Sequence, residues 1–195
     1  MTDSRALLRR RMRAARRAVP RQQRQRLARI IFRKLSALGL VRRGGRVAIY
    51  MPMAGEIPIE PLIKMAADRG CRLYLPRITD HRARRMTFAP FRAPFRCNQY
   101  GISEPARTVG AVSARWLDVV VAPLVAFDAN LTRLGGGTGY YDRALRYRRL
   151  RQTWRRPKVV GVAFDFQRVT ALERQPWDVP MDVIVTDRDI YRTRT

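Results

Sequence analysis

The sequence predicts an α/β layered domain: a central, mostly parallel sheet flanked by helices, with a helical pair at its N-terminus. Three observations lead there. Strand-like and helix-like patterns alternate along the chain, the order that builds parallel sheets. Leu117–Pro123 (LDVVVAP) is a nearly continuous apolar run, as expected of a strand buried on both faces. The first 39 residues carry two amphipathic patterns separated by Pro20. At 195 residues the chain is expected to form one domain over 1–195, with helices 1–39 packed on it.

The first helix is expected from Asp3 to Val19, with Leu7, Leu8, Met12 and Ala15 on one stripe. Pro20 opens the second from a first-turn position. Leu27, Ile30, Ile31, Leu35 and Leu38 form its apolar face, and Gly39 ends it. Arg46–Met51 reads as a strand after the Gly44-Gly45 turn, Ile59–Arg69 as a helix closed by Gly70, and Cys71–Ile78 as the next strand. Met86–Phe91 is a short strand inside an irregular region running to about Gly110. After Leu117–Pro123 come a helix from Tyr140 to about Gln152, then strands Lys158–Phe164 and Met181–Thr186. Parallel sheets bind ligands beyond the carboxyl ends of their strands. That directs attention to Met51–Glu56, Ala122–Gly139 and Phe164–Gln167.

Two cysteines, Cys71 and Cys97, and the lone His81 exclude a disulfide scaffold and a Cys/His zinc cluster. The longest apolar run, Val119–Phe127, is far short of the ~20 residues of a membrane span. Arginines interrupt any signal-peptide core near the N-terminus. A cytoplasmic protein is expected. Against 15 acidic residues stand 41 Lys and Arg, a net charge of +26. Only Lys34, Lys64 and Lys158 are lysines. Such a near-exclusive choice of Arg reads as compositional bias, because either cation serves a phosphate contact. At most weak, non-specific nucleic-acid binding is expected. Tyr147 and Trp154 within the Arg-rich stretch Arg146–Arg156 keep a nucleic-acid role in view.

The sharpest signal is RLGGGTGYYDR, Arg133 to Arg143. Its four glycines within five residues permit left-handed backbone and close ligand approach. A helix follows, whose first N–H groups attract phosphate. Arg133 adds a guanidinium fork, and Asp142 a carboxylate able to hold a divalent cation beside that phosphate. The loop is neither a Walker loop nor a dinucleotide fingerprint.

This string resembles the RLGxGxGYYDR signature of the 5-formyltetrahydrofolate cyclo-ligase family, also called methenyltetrahydrofolate synthetases. Other blocks resemble the family in order: Tyr50-Met-Pro-Met-Ala-Gly-Glu56, Gly101-Ile-Ser-Glu-Pro105, Ala122-Pro-Leu-Val-Ala-Phe-Asp128, Gly161-Val-Ala-Phe164 with Gln167, and Asp178 with Asp182-Val-Ile-Val-Thr186. The resemblance implies conversion of 5-formyltetrahydrofolate to 5,10-methenyltetrahydrofolate, with ATP as co-substrate, Mg²⁺, and release of ADP and phosphate. It implies that the formyl oxygen takes the γ-phosphoryl group, after which N10 closes the ring and phosphate leaves.

It further implies roles residue by residue. Arg5 and Arg9 fall on a basic pair that grips ATP phosphates, and Arg133, Leu134, Gly135, Gly136, Gly137, Thr138, Gly139, Tyr140 and Tyr141 on the nucleotide loop. Gly136 to Tyr140 also face folate, together with Met51, Glu56 and Tyr100. Glu56, Arg133, Tyr140 and Tyr141 stand as catalytic candidates, and Asp142 and Asp178 as metal-associated acids. Arg5, Gly136, Thr138 and Trp177 depart from common family residues. Two other readings share the scaffold: a basic nucleic-acid-associated protein and a catalytically silent folate binder. No membrane and no obligate protein partner are implied.

Overall fold

A run such as VVVA can be apolar throughout only if both faces of its strand are covered, and the computed structural model shows that they are. The structure describes residues 2–92, 94–149 and 156–192. Five short strands run parallel at its centre: β1 (Arg46–Ala48), β2 (Arg72–Asp80), β6 (Val119–Pro123), β9 (Lys158–Val162) and β10 (Val183–Val185). Two antiparallel strands edge the sheet, β3 (Arg85–Pro90) beside β2 and β11 (Ile190–Arg192) beside β10. The order is β11-β10-β9-β6-β1-β2-β3.

Alternate side chains point to opposite faces. Val119, Val121, Val160, Val162, Val183 and Val185 therefore join one core cluster. Val120, Ala122, Val159 and Ile184 join a second cluster on the other face, with Phe127 and Leu145. Each fully buried Val or Ile contributes roughly 1.5–3 kcal/mol.

Helix α2 (Arg21–Ala37) covers the first face through Ala28, Ile31, Phe32 and Leu35, a helical spacing. Helix α3 (Glu60–Asp68) adds Leu62 and Ala66. Pro20 sits one residue before α2 rather than inside its first turn, because its ψ of 148° is extended. Helix α1 (Thr2–Ala18) departs from the expected stripe. Met12 is buried and Leu8 packs beside it, but Leu7 is 56% exposed.

Smaller pairs complete the fold: β4 (Phe95–Cys97) with β5 (Ser103–Pro105), and β7 (Ala126–Phe127) with β8 (Arg133–Leu134). Glu104, from the Gly101–Pro105 block, is buried and binds Arg96, the Asn98 amide and the Ile78 N–H. That ties the β4–β5 hairpin to β2. The expected helix from Tyr140 is α4 (Tyr140–Ala144), followed by a 3₁₀ turn over Arg146–Arg149. The rest of that expected helix, and Trp154, lie outside the described residues.

Candidate functional site

Local chemistry builds the glycine loop from its base. Asp128, at the end of β7, is buried, and its Oδ1 accepts the N–H groups of Asn130 and Thr132. Its Oδ2 accepts the Leu172 N–H at 3.0 Å. This Asp-centred turn, with Leu131 at φ +60°, aims the chain back through β8. Leu134 then packs inward with Met12 and Val125, under the loop and off the cleft lining. Gly137 (φ +105°) and Gly139 (φ +73°) take conformations that side chains disfavour. Among the described residues, the N–H groups of Gly136, Gly137, Thr138 and Gly139 donate to no protein acceptor. Successive unpaired N–H groups form an anion-binding concavity.

Helix α1 lays arginines across this loop. Arg9 Nε donates to the Gly135 carbonyl at 2.9 Å and Arg13 to the Gly136 carbonyl at 3.1 Å. Arg5 pairs with Asp178 at 3.2 Å, and Arg133 with Asp142 at 2.9 Å. Burial, then neighbouring Arg5 and Arg13, push the Arg9 guanidinium below its ordinary pKa. Nε of Arg5 and Nε of Arg133 are buried without a hydrogen-bond partner. An unmet buried donor costs about 1–3 kcal/mol, so the cleft is short of acceptors.

Arg5, Arg9, Arg133, Gly135, Gly136, Gly137, Thr138, Gly139, Tyr140, Tyr141, Asp142 and Asp178 line one cleft of about 100 Å³. That is below the roughly 300 Å³ at which pockets enclose whole ligands. It suits the charged end of a nucleotide. The helix contributes less than expected, because α4 has five residues and little dipole. The attraction comes instead from guanidinium groups and loop N–H donors.

The two carboxylates fit a magnesium ion. Asp142 Oδ1 accepts Arg133 and the Val179 N–H, and Asp178 Oδ2 accepts Arg5 and the Gln175 N–H. The second oxygen of each has no hydrogen bond among the described residues. The described residues contain no group of three or more His, Cys, Asp and Glu that could hold a metal ion unaided. Magnesium is commonly held by one or two carboxylates together with substrate phosphates.

Glu56 lies in a turn beside this cleft. Its Oε1 pairs with Arg16 at 3.4 Å and its Oε2 accepts the Met53 N–H at 3.0 Å. Gly55 permits the turn: its φ is +81°, and a Cβ there would lie 3.0 Å from the Arg17 backbone nitrogen, tighter than an ordinary contact. Met51 packs against the core beside it. Burial raises the Tyr141 phenol, with Arg133 opposing and Glu56 adding to the shift. Tyr140 is pushed up to about 12 by burial and by its hydrogen bond with Tyr100. The Tyr140 hydroxyl lies 3.3 Å from the Tyr100 hydroxyl and 3.3 Å from His81 Nδ1. Both phenols of the loop therefore stay protonated at neutral pH and offer hydrogen rather than abstract it. Met51, Glu56 and Tyr100 are not in the lining of the phosphate-sized cleft.

Sequence reasoning missed Arg13, Arg16 and His81. The signal for the first two was present, since Arg5, Arg9, Arg13 and Arg16 recur at helical spacing. His81 has no such signal, being brought to Tyr140 across 59 residues. Gln167 is structural: buried, it donates to the Leu124 and Val125 carbonyls and accepts from the Phe164 N–H.

A model of the 5-formyltetrahydrofolate cyclo-ligase family matches residues 1–187. The 5-formyltetrahydrofolate cyclo-ligase of Escherichia coli K12 is 32% identical over 185 residues, covering 92% of this chain and 98% of that protein. That of Haemophilus influenzae is 35% identical over 158 residues, 76% of this chain and 81% of that one. The solved structure of Aquifex aeolicus 5,10-methenyltetrahydrofolate synthetase superposes with a TM-score of 0.81 at 30% identity, covering 98% of this chain and 93% of that one. The chain therefore belongs to the 5-formyltetrahydrofolate cyclo-ligase family of enzymes.

Proposed function

We propose that the protein converts 5-formyltetrahydrofolate and ATP to 5,10-methenyltetrahydrofolate, ADP and phosphate. The observation that carries the reading is the single cleft where unpaired loop N–H groups, Arg5, Arg9 and Arg133 meet the carboxylates of Asp142 and Asp178. Donors and cations there suit the terminal phosphates of ATP. Asp142 and Asp178 would hold a Mg²⁺ ion there, which would supply charge neutralisation to the terminal phosphates.

A formamide oxygen is a poor leaving group, and phosphorylation makes it a good one. The formyl oxygen attacks the γ-phosphorus and the bond to ADP breaks. N10 then attacks the formyl carbon, phosphate departs, and the N10 proton is lost. The work of the chain is positioning and charge stabilisation. Arg133 and the loop N–H groups hold the transferring group. Glu56, fixed by Arg16 and the Met53 N–H, orients the folate end. Tyr140 and Tyr141 donate hydrogen bonds. Met51 and Tyr100 flank the pterin.

Ultraviolet absorbance of the methenyl product tests the reading. It should rise only with protein, 5-formyltetrahydrofolate, ATP and Mg²⁺ together, with one ADP per product. Folded protein that binds folate without turnover refutes it.

A further inference from the structure

A second groove opens at the other end of the sheet, where the parallel strands begin. It encloses about 440 Å³ and is lined by Arg46, Arg115, Trp116, Asp118, Tyr147 and Arg156, among others. The five residues of β6 separate it from the glycine cleft by roughly 16 Å. Nothing in the proposed reaction uses it.

Its charge is ordered. The register places Arg72 beside Arg46 on one face of the sheet, and Arg115 lines the groove with Arg46. Parallel strands lie about 4.8 Å apart, so Arg72 and Arg46 stand side by side at this edge. The acids near them are engaged. Asp118 accepts the Arg46 N–H and pairs with Arg156 at 3.2 Å, and Asp182 is held by Arg148. Arg46, Arg72 and Arg115 are in no ion pair among the described residues. Three such cations on one side of the sheet match a chain of phosphates better than a single anion.

An aromatic face accompanies the row. Trp116 is 62% exposed although its neighbour Leu117 is fully buried. The Arg115 guanidinium lies 5.5 Å from the Tyr147 ring centre, and Arg46 donates to the Trp116 carbonyl. Exposed indole beside stacked guanidinium is the surface on which unpaired bases stack.

We propose that this groove binds single-stranded nucleic acid, its phosphates along Arg72, Arg46 and Arg115 and a base on Trp116, without sequence preference. The residues come from three separate stretches of chain, so no linear motif announces them.

The test is fluorescence anisotropy of a labelled 12-nucleotide oligouridylate with the full chain. Binding should fall on the order of 20-fold from 50 to 200 mM salt if about three phosphates are neutralised. Trp116→Ala should weaken it about tenfold. The double variant R72E/R115E should weaken it by more than tenfold, whereas R26E/R29E, the same charge change on the exposed face of α2, should cost less than threefold. Folate turnover of each variant, unchanged, certifies its fold. Three results overturn the proposal: wild-type affinity in Trp116→Ala, equal losses in the two charge-reversed pairs, or equal binding of a duplex of the same length. Displacement by uridine monophosphate at matched phosphate concentration also overturns it, in favour of a mononucleotide pocket.

Discussion

Arg133 and Asp142 stand 2.9 Å apart, both largely buried, the guanidinium on the strand that enters the glycine loop and the carboxylate on the helix that leaves it. Arg5 and Asp178 repeat the arrangement at 3.2 Å. In each pair the cation is proposed for phosphate and the anion for the metal. Each group thus faces an opposite charge that Mg-ATP is expected to replace, a pairing that offsets the desolvation cost of both.

Substitution of Asp142 separates charge from shape. Asp142→Asn keeps an acceptor for the Val179 N–H, whereas Asp142→Ala removes it. Both should lower kcat by on the order of 10²-fold or more, with folate binding nearly unchanged. Alanine should also cost about 3 kcal/mol of stability, by leaving Arg133 buried without its anion. Steady-state kinetics and urea unfolding measure both, and wild-type turnover in Asp142→Asn would remove the carboxylate from the reaction.

The α1 arginines should act on the nucleotide alone. Arg5→Ala and Arg9→Ala are each expected to raise KM for ATP roughly tenfold or more, the value of a charge-assisted hydrogen bond. KM for folate should hold. Initial rates against each substrate decide it, and a rise confined to folate would reverse the assignment.

Asp128 carries the turn that aims Arg133. Asp128→Ala leaves three N–H groups without an acceptor. The expected loss is about 3 kcal/mol, seen in calorimetry as roughly 9 °C of Tm. Activity should fall in the surviving folded protein.

Tyr50, Tyr140 and Tyr141 are all raised above the ordinary tyrosine pKa, burial being the largest cause for each. A raised acid means that the native state holds its proton longer than the unfolded chain. Stability from these groups is complete below pH 10 and is lost as pH rises toward and through the folded values, about 12 for Tyr140. Ultraviolet titration of tyrosinate should show that component vanish in Tyr140→Phe. Loss of a component near pH 10 instead would place the Tyr140 phenol in water.

The sheet was legible because a strand buried on both faces must be apolar at every position, as Val119–Ala122 is. The glycine loop was legible because left-handed backbone and close approach demand a residue type that stands out in any chain. Strands of two or three residues, such as Ala126–Phe127 and Arg133–Leu134, are too short to show a period. They exist only because a partner strand pairs with them.

The arginines divide what the sequence determined from what the tertiary structure decided. Composition alone sets the charge of +26, and helical spacing alone puts Arg5, Arg9, Arg13 and Arg16 on one face of α1. Nothing in that spacing says that Arg16 is buried, 5% exposed, on the Leu124 carbonyl and Glu56, while Leu7 on the same helix faces water. Hydrophobicity orders residues by the average cost of burial. The acceptor that makes burial of a guanidinium tolerable comes from a turn 40 residues away, and only folding brings it there.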